Sequence, residues 1–489
     1  MFNTIIPLLL IPIIGFIFIS FKDFSTQEKI RTNKFIALFF SLLTLLESLR
    51  LWSIFDYDSP IFQFTSQFDI INIGNLNISM LFGIDGISLI FVLLTTLLIP
   101  ICILTSWESV KKNHKLYLLS FLGLEILLLG VFTILDIFGF YILFEGVLIP
   151  MFLIIGVYGS RVQKIEASYY FFFYTLIGSV LMLLGIIYLY NITGTTNYLK
   201  LLTYEIDENV QKILFLAFFA SLAVKIPKYP FHIWLPQAHV EAPVAGSVIL
   251  AGILIKLGGY GFIRYTLPVL PIASKFFAPL VFTLGVLGII YASLTTLRQT
   301  DLKRIIAYSS VSHMWVVSIA IFSLTVIGIE GSIFLQLAHG IVSSALFIIV
   351  TILYDRHHTR LVKYYRGVTV TMPIFSTIFL FFTLANIAVP LSCNFIGEFL
   401  CLLAVYDINP YVGIMSSAGI VLSAAYSLFL YNRVSFGSIS PHIKEFSDMT
   451  RREVGVLLPL IILTVLLGIL PNIVLDIIHQ SVINLITYL

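Results

Sequence analysis

The fold is decided by the stretch from Ala223 to Arg264, which begins Ala223-Val-Lys225-Ile-Pro227-Lys-Tyr-Pro230-Phe-His232-Ile-Trp-Leu-Pro236-Gln-Ala-His239-Val-Glu241-Ala-Pro243 and continues with Lys256-Leu-Gly258-Gly259-Tyr-Gly261. Two lysines here lie inside apolar segments long enough to cross a bilayer, and the first is followed by prolines and histidines. A lysine at the bilayer centre costs about 2.5 to 3.5 kcal/mol on insertion scales, so such residues usually mark an ion or proton path. We therefore predict that Lys225 and Lys256 are stations on such a path.

The composition around this stretch is that of a membrane protein. Hydrophobic residues make up 59% of the 489 and charged residues 11%, and the mean hydropathy is +1.03. This excludes an ordinary soluble domain. The formal net charge of +3 is scattered along the chain, which argues against a nucleic-acid partner. Cys102, Cys393 and Cys401 show no C-x-x-C spacing, so we expect no cysteine-ligated cluster or zinc site and no metal in this chain.

Apolar runs of about 20 residues, the length needed to span a bilayer, predict the topology. Every span is expected to be helical, because backbone groups find no water partner in lipid. The predicted fold is an all-α polytopic membrane protein whose 14 segments are 4–21, 34–55, 85–107, 115–134, 135–157, 167–191, 210–239, 242–265, 274–297, 301–324, 328–353, 372–407, 411–435 and 453–478. The hydrophilic stretch 56–83 is predicted to be a connecting loop on the outer side.

The distribution of basic residues supports this count. With alternating sides, the loops after odd-numbered segments carry 21 Lys and Arg residues, Lys111 and Lys444 among them, and the opposite side carries five. By the positive-inside rule, both termini face away from the cytoplasm or matrix. The first residues lead directly into apolar sequence without a basic region, so we expect a first spanning helix, no cleaved leader, and insertion in a bacterium or an organelle.

Two segments are interrupted in the same way. The seventh contains Pro227, Pro230 and Pro236, and the twelfth contains Pro390 before Asn394. Proline opens the helical hydrogen-bond ladder, which a membrane tolerates only where protein or a wet cavity satisfies the freed groups. Interrupted helices five segments apart face opposite ways, as in an inverted repeat. The predicted units are residues 1–110 (segments 1 to 3), 111–270 (first five-helix repeat), 271–436 (second repeat) and 437–489 (segment 14).

Ionisable residues recur near the middle of several segments, at similar predicted depth. Burial disfavours the charged form of lysine and glutamate alike, while an opposite charge nearby favours it. One charge acting on another about 7 Å away at an effective dielectric of about 20 contributes roughly 2.4 kcal/mol. A row of such groups passes protons along the membrane plane, and its predicted members are Glu145, Lys225, Lys256, His313, His339 and Glu398.

Each candidate also has a plainer interpretation. Glu145 is alternatively a static counter-ion of a lysine, and the two histidines of the row are alternatively core residues bonded to a neighbouring helix. Glu125 lies at similar depth without an assigned role.

His232 and His239 have no third ligand in register, so proton entry at the interface is favoured over metal binding. Asp301 begins a segment on the positive side and is interpreted, with the basic residues after it, as an interface anchor, proton uptake being the alternative.

At these positions the chain resembles the chain 4 family of proton-pumping NADH:ubiquinone oxidoreductase, respiratory complex I. The resemblance covers segments 3 to 13, and its most specific part is the run Trp-Leu-Pro-Gln-Ala-His-Val-Glu-Ala-Pro. The matching stretches are Phe144-Glu-Gly-Val-Leu-Ile-Pro-Met151, Phe231 to Ser247, Leu254-Ile-Lys-Leu-Gly-Gly-Tyr-Gly-Phe-Ile-Arg264, Thr300-Asp-Leu-Lys-Arg-Ile-Ile-Ala-Tyr-Ser-Ser310 and Asn394-Phe-Ile-Gly-Glu398. Glutamate at position 398 favours chain 4 over related antiporter-like chains, which tend to carry lysine there.

The resemblance implies an antiporter-like subunit of the membrane arm, with Glu145 and Lys225 as a coupled pair, Lys256 as the central relay and Glu398 on the exit side. It implies no cofactor in this chain, with NADH, FMN, iron–sulfur clusters and ubiquinone in partner subunits, and other complex I membrane-arm chains as neighbours. The 43 phenylalanines suggest an AT-rich organellar genome, so we expect the mitochondrial inner membrane, the bacterial plasma membrane being the alternative. A cation/proton antiporter subunit of the Mrp type and a structural spacer remain open as other functions.

Overall fold

The computed structural model describes residues 4–73, 76–110, 112–441 and 447–489. The counted basic residues Lys111 and Lys444 lie outside them. The elements up to the end of the seventh predicted segment are α1 (Ile6–Ser20), α2 (Gln27–Ile54), β1 (Gln63–Ile73), β2 (Leu76–Ile84), α3 (Gly86–Thr105), α4 (His114–Thr133), α5 (Ile137–Gly146), α6 (Leu148–Tyr158), α7 (Lys164–Thr193), α8 (Tyr198–Leu201), α9 (Glu208–Lys225) and α10 (Trp234–Glu241).

The remainder of the chain continues as helices. They are α11 (Val244–Ile249), α12 (Ile255–Gly261), α13 (Leu267–Val269), α14 (Pro271–Arg298), α15 (Leu302–Ile321), α16 (Val326–His357), α17 (Val368–Thr371), α18 (Pro373–Asn386), α19 (Cys393–Ile408), α20 (Pro410–Ser435), α21 (Arg451–Ile469) and α22 (Asn472–Ile486). Short π-helical turns at Leu250–Leu254 and Phe262–Thr266 make α11, α12 and α13 one continuous helical segment, and a 3-10 turn occupies Val362–Tyr364.

The predicted class, a helical polytopic membrane protein, is confirmed. Among the described residues, eleven helical segments are long and apolar enough to cross a membrane, and three more apolar helices are shorter. The segment Val244–Val269 and helix α16 are buried along their whole apolar windows, whereas α2, α20 and α21 expose most of theirs. The buried helices therefore form the centre of the molecule, and the exposed ones present apolar side chains to lipid or to partner chains.

The predicted outer-side loop is wrong in one respect, because strands β1 and β2 pair as an antiparallel hairpin there. The register places Gln63 opposite Ile84 and Gln67 opposite Leu81. The hairpin is fixed to the helices by the Leu135 amide, which donates to the Leu81 carbonyl at 2.8 Å. The chain is thus not strictly all-α. The period-2 alternation beginning Phe62-Gln-Phe-Thr is a strand signal that a count of apolar runs does not register.

The C-terminal boundary also differs from the prediction. The last predicted segment, 453–478, ends in the structure at Ile469, and Pro471 caps a separate helix, α22. Proline cannot continue the preceding helix, which explains the stop. Helix α22 packs against the start of α3, where the Gly86 amide donates to the Ser481 hydroxyl at 2.9 Å. The C-terminal helix is therefore part of the packed structure.

Two predicted segments contain non-helical residues at their middle. Helix α9 ends at Lys225 and α10 begins at Trp234, while α18 ends at Asn386 and α19 begins at Cys393. In the second gap Ala388 has φ +65°, outside the helical region. These gaps place Pro227, Pro230 and Pro390 between helices, whereas Pro236 lies in the first turn of α10.

Candidate functional site

Lys256 lies at the centre of the molecule on a helical segment that is distorted on both sides of it. The side chain is fully buried, and the π-helical turns Leu250–Leu254 and Phe262–Thr266 flank α12. Its ammonium donates to the Ala251 carbonyl. Because π-helical turns inside α-helices are rare and frequently occur at functional sites, this distortion distinguishes Lys256 from an ordinary buried residue.

The Lys256 side chain reaches the neighbouring helix α16. Its Nζ atom lies 2.8 Å from Nδ1 of the buried His339. Glycines allow the two helices to approach closely here, since a Cβ added to Gly340 would lie 3.0 Å from the carbonyl oxygen of Gly252. The glycine of one helix thus faces the glycine of the other beside the lysine–histidine contact. A direct hydrogen bond across the interface follows from this spacing.

The contact continues from His339 to helices α15 and α19. The rings of His339 and His313 have centroids 5.6 Å apart. His313 Nδ1 lies 2.7 Å from Oε1 of Glu398, and both side chains are buried, with 4% and 5% of their surface exposed. The Nε2 atoms of both histidines have no partner within the described residues. Lys256, His339, His313 and Glu398 therefore form a continuous cluster, which we call the central row.

Glu145 and Lys225 form a second, separate group. The Lys225 ammonium lies 4.3 Å from the centre of the Phe144 ring and within electrostatic range of the Glu145 carboxylate, although not in a direct salt bridge. Helix α9 ends at Lys225 against α12, since a Cβ on Gly258 would touch the backbone at Ile226. The structure thus brings four of the six predicted residues into one row and places the other two beside it.

Glu125 lies away from the row, between α4 and α2. It is fully buried and hydrogen-bonded to Thr44. The same Thr44 hydroxyl lies 2.8 Å from the Ser41 carbonyl. The Thr44 hydroxyl has a single proton and can donate it to only one of these two oxygens. Both contacts are therefore hydrogen bonds when Thr44 donates to the Ser41 carbonyl and a protonated Glu125 donates to the Thr44 oxygen. Glu125 is therefore suited to joining two helices as a neutral acid.

The two histidines after the helix gap lie in different surroundings. His239 is fully buried, and its ring stacks on Phe347 with centroids 4.4 Å apart and an interplanar angle of 5°. His232 packs among tyrosines, with its ring centroid 5.9 Å from that of Tyr291. Since His239 also lies within electrostatic range of Lys256, it is the nearer of the two to the central row.

The start of α15 holds a buried ionic cluster, and the predicted role of Asp301 as an interface anchor stays a prediction. Asp301 accepts from the Lys303 amide at 2.9 Å, capping the helix, and Lys303 Nζ donates to the Ala242 carbonyl at 2.9 Å. Arg360 lies 3.5 Å from Glu241 and 3.6 Å from Asp301. Burial lowers the pKa of Arg360 from its ordinary value, an effect that the Asp301 carboxylate opposes. Arg360 thereby ties three parts of the chain together.

One buried ion pair was missed by the sequence analysis, in which Arg264 is one of the five basic residues counted on the outer side. Arg264 is buried and pairs with Asp85, whose carboxylate also caps α3 by accepting from the Ser88 amide at 2.9 Å. Tyr260 lies one helical turn from the arginine and bonds the Phe132 carbonyl at 3.0 Å. The available signal was Asp85 immediately before an apolar helix, the pattern of an N-terminal cap.

The chain is similar to known proteins in sequence. The family model described as "NADH:quinone oxidoreductase/Mrp antiporter, TM" matches residues 135–423. The chain is 57% identical over 449 residues to "NADH-ubiquinone oxidoreductase chain 4" of Metridium senile, covering 91% of each chain. It is 52% identical to the protein of the same name from Marchantia polymorpha, covering 100% of this chain and 98% of that one.

Two solved structures share the fold. A chain of "Respiratory complex I from Thermus thermophilus with bound NADH" superposes with a TM-score of 0.87 at 26% identity, covering 99% of both chains. A chain of the "Structure of Mrp complex from Dietzia sp. DQ12-45-1b" superposes with a TM-score of 0.85 at 17% identity, covering 98% of this chain and 97% of that one, a likeness of fold alone. On these relatives and on the family model, the chain belongs to the NADH-ubiquinone oxidoreductase chain 4 family of antiporter-like membrane subunits.

Proposed function

We propose that this chain is a proton-translocating membrane-arm subunit of NADH:ubiquinone oxidoreductase, in which the central row carries the proton. The observation that supports it is the row of neighbouring side chains from Lys256 through His339 and His313 to Glu398, hydrogen-bonded at both ends and joined at the middle by two histidine rings whose centroids are 5.6 Å apart. Buried ionisable groups are costly in a membrane protein, and four of them side by side in one row are typical of a proton relay. A structural spacer has no need of such a row.

The chemistry of the row allows a proton to pass in steps. Imidazole accepts a proton on one nitrogen and releases one from the other, so His339 can take a proton from Lys256 and His313 can give one to Glu398. One hop between the two rings joins these steps. Lys256 supplies the proton at one end, and Glu398 receives it at the other. Because the 2.7 Å distance between His313 and Glu398 is that of a charge-assisted hydrogen bond, the last step needs no large movement.

Glu145 and Lys225 act on the row through their charge. A change in the protonation of this pair alters the field at Lys256, which lies on the helix packed against the end of α9. At a separation of about 7 Å and an effective dielectric of about 20, the effect is roughly 2.4 kcal/mol, enough to load or unload a buried lysine. Quinone reduction elsewhere in the complex would drive the row in this way, and no redox step occurs in this chain.

The proposed topology has 14 membrane crossings. The eleven candidate spans are joined by α1 and by two broken helices, the seventh formed by α9 with α10 and the twelfth by α18 with α19. The proposed units are residues 1–110, the inverted repeats 111–270 and 271–436, and residues 437–489. The helix gaps beside Lys225 and before Glu398 support this arrangement, since broken helices of inverted repeats meet at the working site.

The partners follow from the family. The chain resides in the mitochondrial inner membrane as a multi-pass subunit, beside other complex I membrane subunits, including neighbouring antiporter-like chains. NADH, FMN, iron–sulfur clusters and ubiquinone are bound by partner subunits, and this chain holds no cofactor and no metal. The alternative is a cation/proton antiporter subunit of the Mrp type, and its support is a likeness of fold. The 52% and 57% sequence identities are stronger support for complex I. Copurification of the chain with NADH-oxidising subunits on native gels separates the two.

The decisive experiment is Lys256→Met in the assembled complex. The methionine fills the volume of the lysine but carries no proton, so NADH-driven proton translocation is expected to fall at least tenfold while the complex assembles. Lys212→Met is the matched control, because Lys212 forms a partly exposed pair with Glu208 at 2.7 Å, away from the row. Unchanged pumping in an assembled Lys256→Met complex would refute the proposed relay.

A further inference from the structure

Lys228 lies in the gap between α9 and α10, and its side chain is enclosed by aromatic rings. The residue is 1% exposed, and its Nζ atom has no hydrogen-bond partner within the described residues. Four rings surround the ammonium, and we call them the Lys228 cage. Their centroids lie 4.7 Å from Nζ for Phe219, 4.4 Å for Phe262, 5.5 Å for Trp315 and 5.6 Å for Phe322.

The Lys228 cage is suited to hold a charge and poorly suited to pass a proton. Each aromatic face attracts a cation through its quadrupole when the cation lies within about 6 Å of the ring centre, and the attraction strengthens without water. A relay needs a hydrogen-bonded partner, as Lys256 has in His339 and His313 has in Glu398, whereas the described residues offer Lys228 none. The described residues also form no salt bridge with Lys228. Among the described residues, the groups that would stabilise the charged form of Lys228 are therefore the four ring faces.

The cage lies to one side of the central row. Phe219 precedes Lys225 by six residues on α9, and Phe262 follows Lys256 by six residues, each a displacement of about 9 Å along its helix. Phe322 caps the end of α15. In the proposed topology these displacements all point towards the outer face. The ammonium of Lys228 therefore lies between the gap in the seventh helix and the outer side of the membrane.

We propose that Lys228 is an electrostatic barrier that keeps protons from crossing at the gap in the seventh helix. The inference rests on the proposed function, because a barrier is useful only where protons are held in the membrane. A broken helix exposes backbone groups that attract water, and water conducts protons past the intended route. A fixed positive charge on the outer side of that gap repels them, by the principle that excludes cations from neutral-solute pores.

The size of the effect follows from Coulomb's law. One charge acting on a proton about 10 Å away at an effective dielectric of about 20 changes the crossing rate by roughly 10- to 20-fold. Removing the charge of Lys228 should therefore increase the passive leak by about tenfold. The replacement must be neutral and of similar length, and methionine also packs well against aromatic rings.

The test uses the whole complex reconstituted in liposomes with an imposed pH gradient, without NADH and with quinone reduction inhibited. We expect the gradient to decay about tenfold faster for Lys228→Met and for a second neutral variant, Lys228→Gln, and at the wild-type rate for the charge-conserving Lys228→Arg. Decay within twofold of wild type for the neutral variants would overturn the barrier. So would fewer protons pumped per NADH without a leak, which would make Lys228 a relay.

The same vesicles separate this inference from the proposed function. Adding NADH to wild-type vesicles measures pumping, and Lys256→Met measures its dependence on the central row. If Lys256→Met pumps normally, the relay is wrong whatever the leak of the Lys228 variants. If Lys256→Met stops pumping and the neutral Lys228 variants do not leak, the relay stands and the barrier is wrong.

Discussion

The link between His313 and Glu398 offers the sharpest prediction, because the chain contains a matched pair to compare with it. Glu398→Gln keeps the size of the side chain and a hydrogen bond to His313, but it removes the charge and the proton site. The second pair joins His479 Nδ1 to Oε1 of Glu330 at the same distance, 2.7 Å. Its side chains are 52% and 13% exposed, whereas those of the first pair are 4% and 5% exposed.

The magnitude follows from burial. A hydrogen bond to a charged group contributes about 1.5 to 3 kcal/mol, and breaking a buried ion pair costs more because a charge is left unpaired. Since the amide introduced by Glu398→Gln preserves part of the contact, we take a loss of about 2 to 3 kcal/mol in stabilising a proton on His313. This slows proton transfer by about 30- to 150-fold. The exposed pair contributes about 0 to 1 kcal/mol, so Glu330→Gln should change pumping less than about fivefold.

The assay is the number of protons translocated per NADH oxidised, in vesicles that contain equal amounts of assembled complex. Glu398→Gln is expected to assemble and to lose most NADH-driven pumping, and Glu330→Gln is expected to retain it. The reasoning fails if an assembled Glu398→Gln complex pumps within threefold of wild type. It also fails if both variants lose pumping equally, because burial would then not be the cause.

Three further outcomes test the packing around the row. A Cβ at Gly86 would overlap the carbonyl oxygen of Ile477, so Gly86→Ala should destabilise the docked C-terminal helix by about 1 to 3 kcal/mol and speed its cleavage in limited proteolysis. Arg264→Met leaves Asp85 buried without its partner and should cost about 3 to 5 kcal/mol in thermal stability, while adding Asp85→Asn should restore much of it. Glu125→Gln keeps a donor for its threonine partner and should pump normally, whereas Glu125→Leu should lower the melting temperature of the complex.

The sequence was sufficient for the features that depend on hydropathy and on buried charge. Lys225 and Lys256 are recognisable because lysine is rare inside long apolar runs, and His313, His339 and Glu398 because they recur at similar depth. The prolines of the seventh segment likewise indicated where helix α9 stops. All of these inferences depend on the depth of a residue along its own segment, and this depth follows directly from the position of the residue in the sequence.

Contacts between segments that are separate in the sequence, and the β-hairpin, became visible only in the tertiary structure. The hairpin of β1 and β2 was missed because a short period-2 pattern is weaker than a long apolar run. Lys228 was one of the 21 basic residues counted on the positive side, and its burial was not predicted, since its four aromatic neighbours come from three separate segments.

In the central row, too, the sequence predicted the depth of the residues but not the contacts between their helices. Sequence determined which residues of this protein lie near the middle of the membrane, since a helix advances a fixed distance per residue. It did not determine that Lys256 touches His339, or that Glu145 and Lys225 form a group of their own. Those contacts depend on how each helix is rotated about its axis and how closely glycines such as Gly252 and Gly340 let two helices approach, and packing alone decides both.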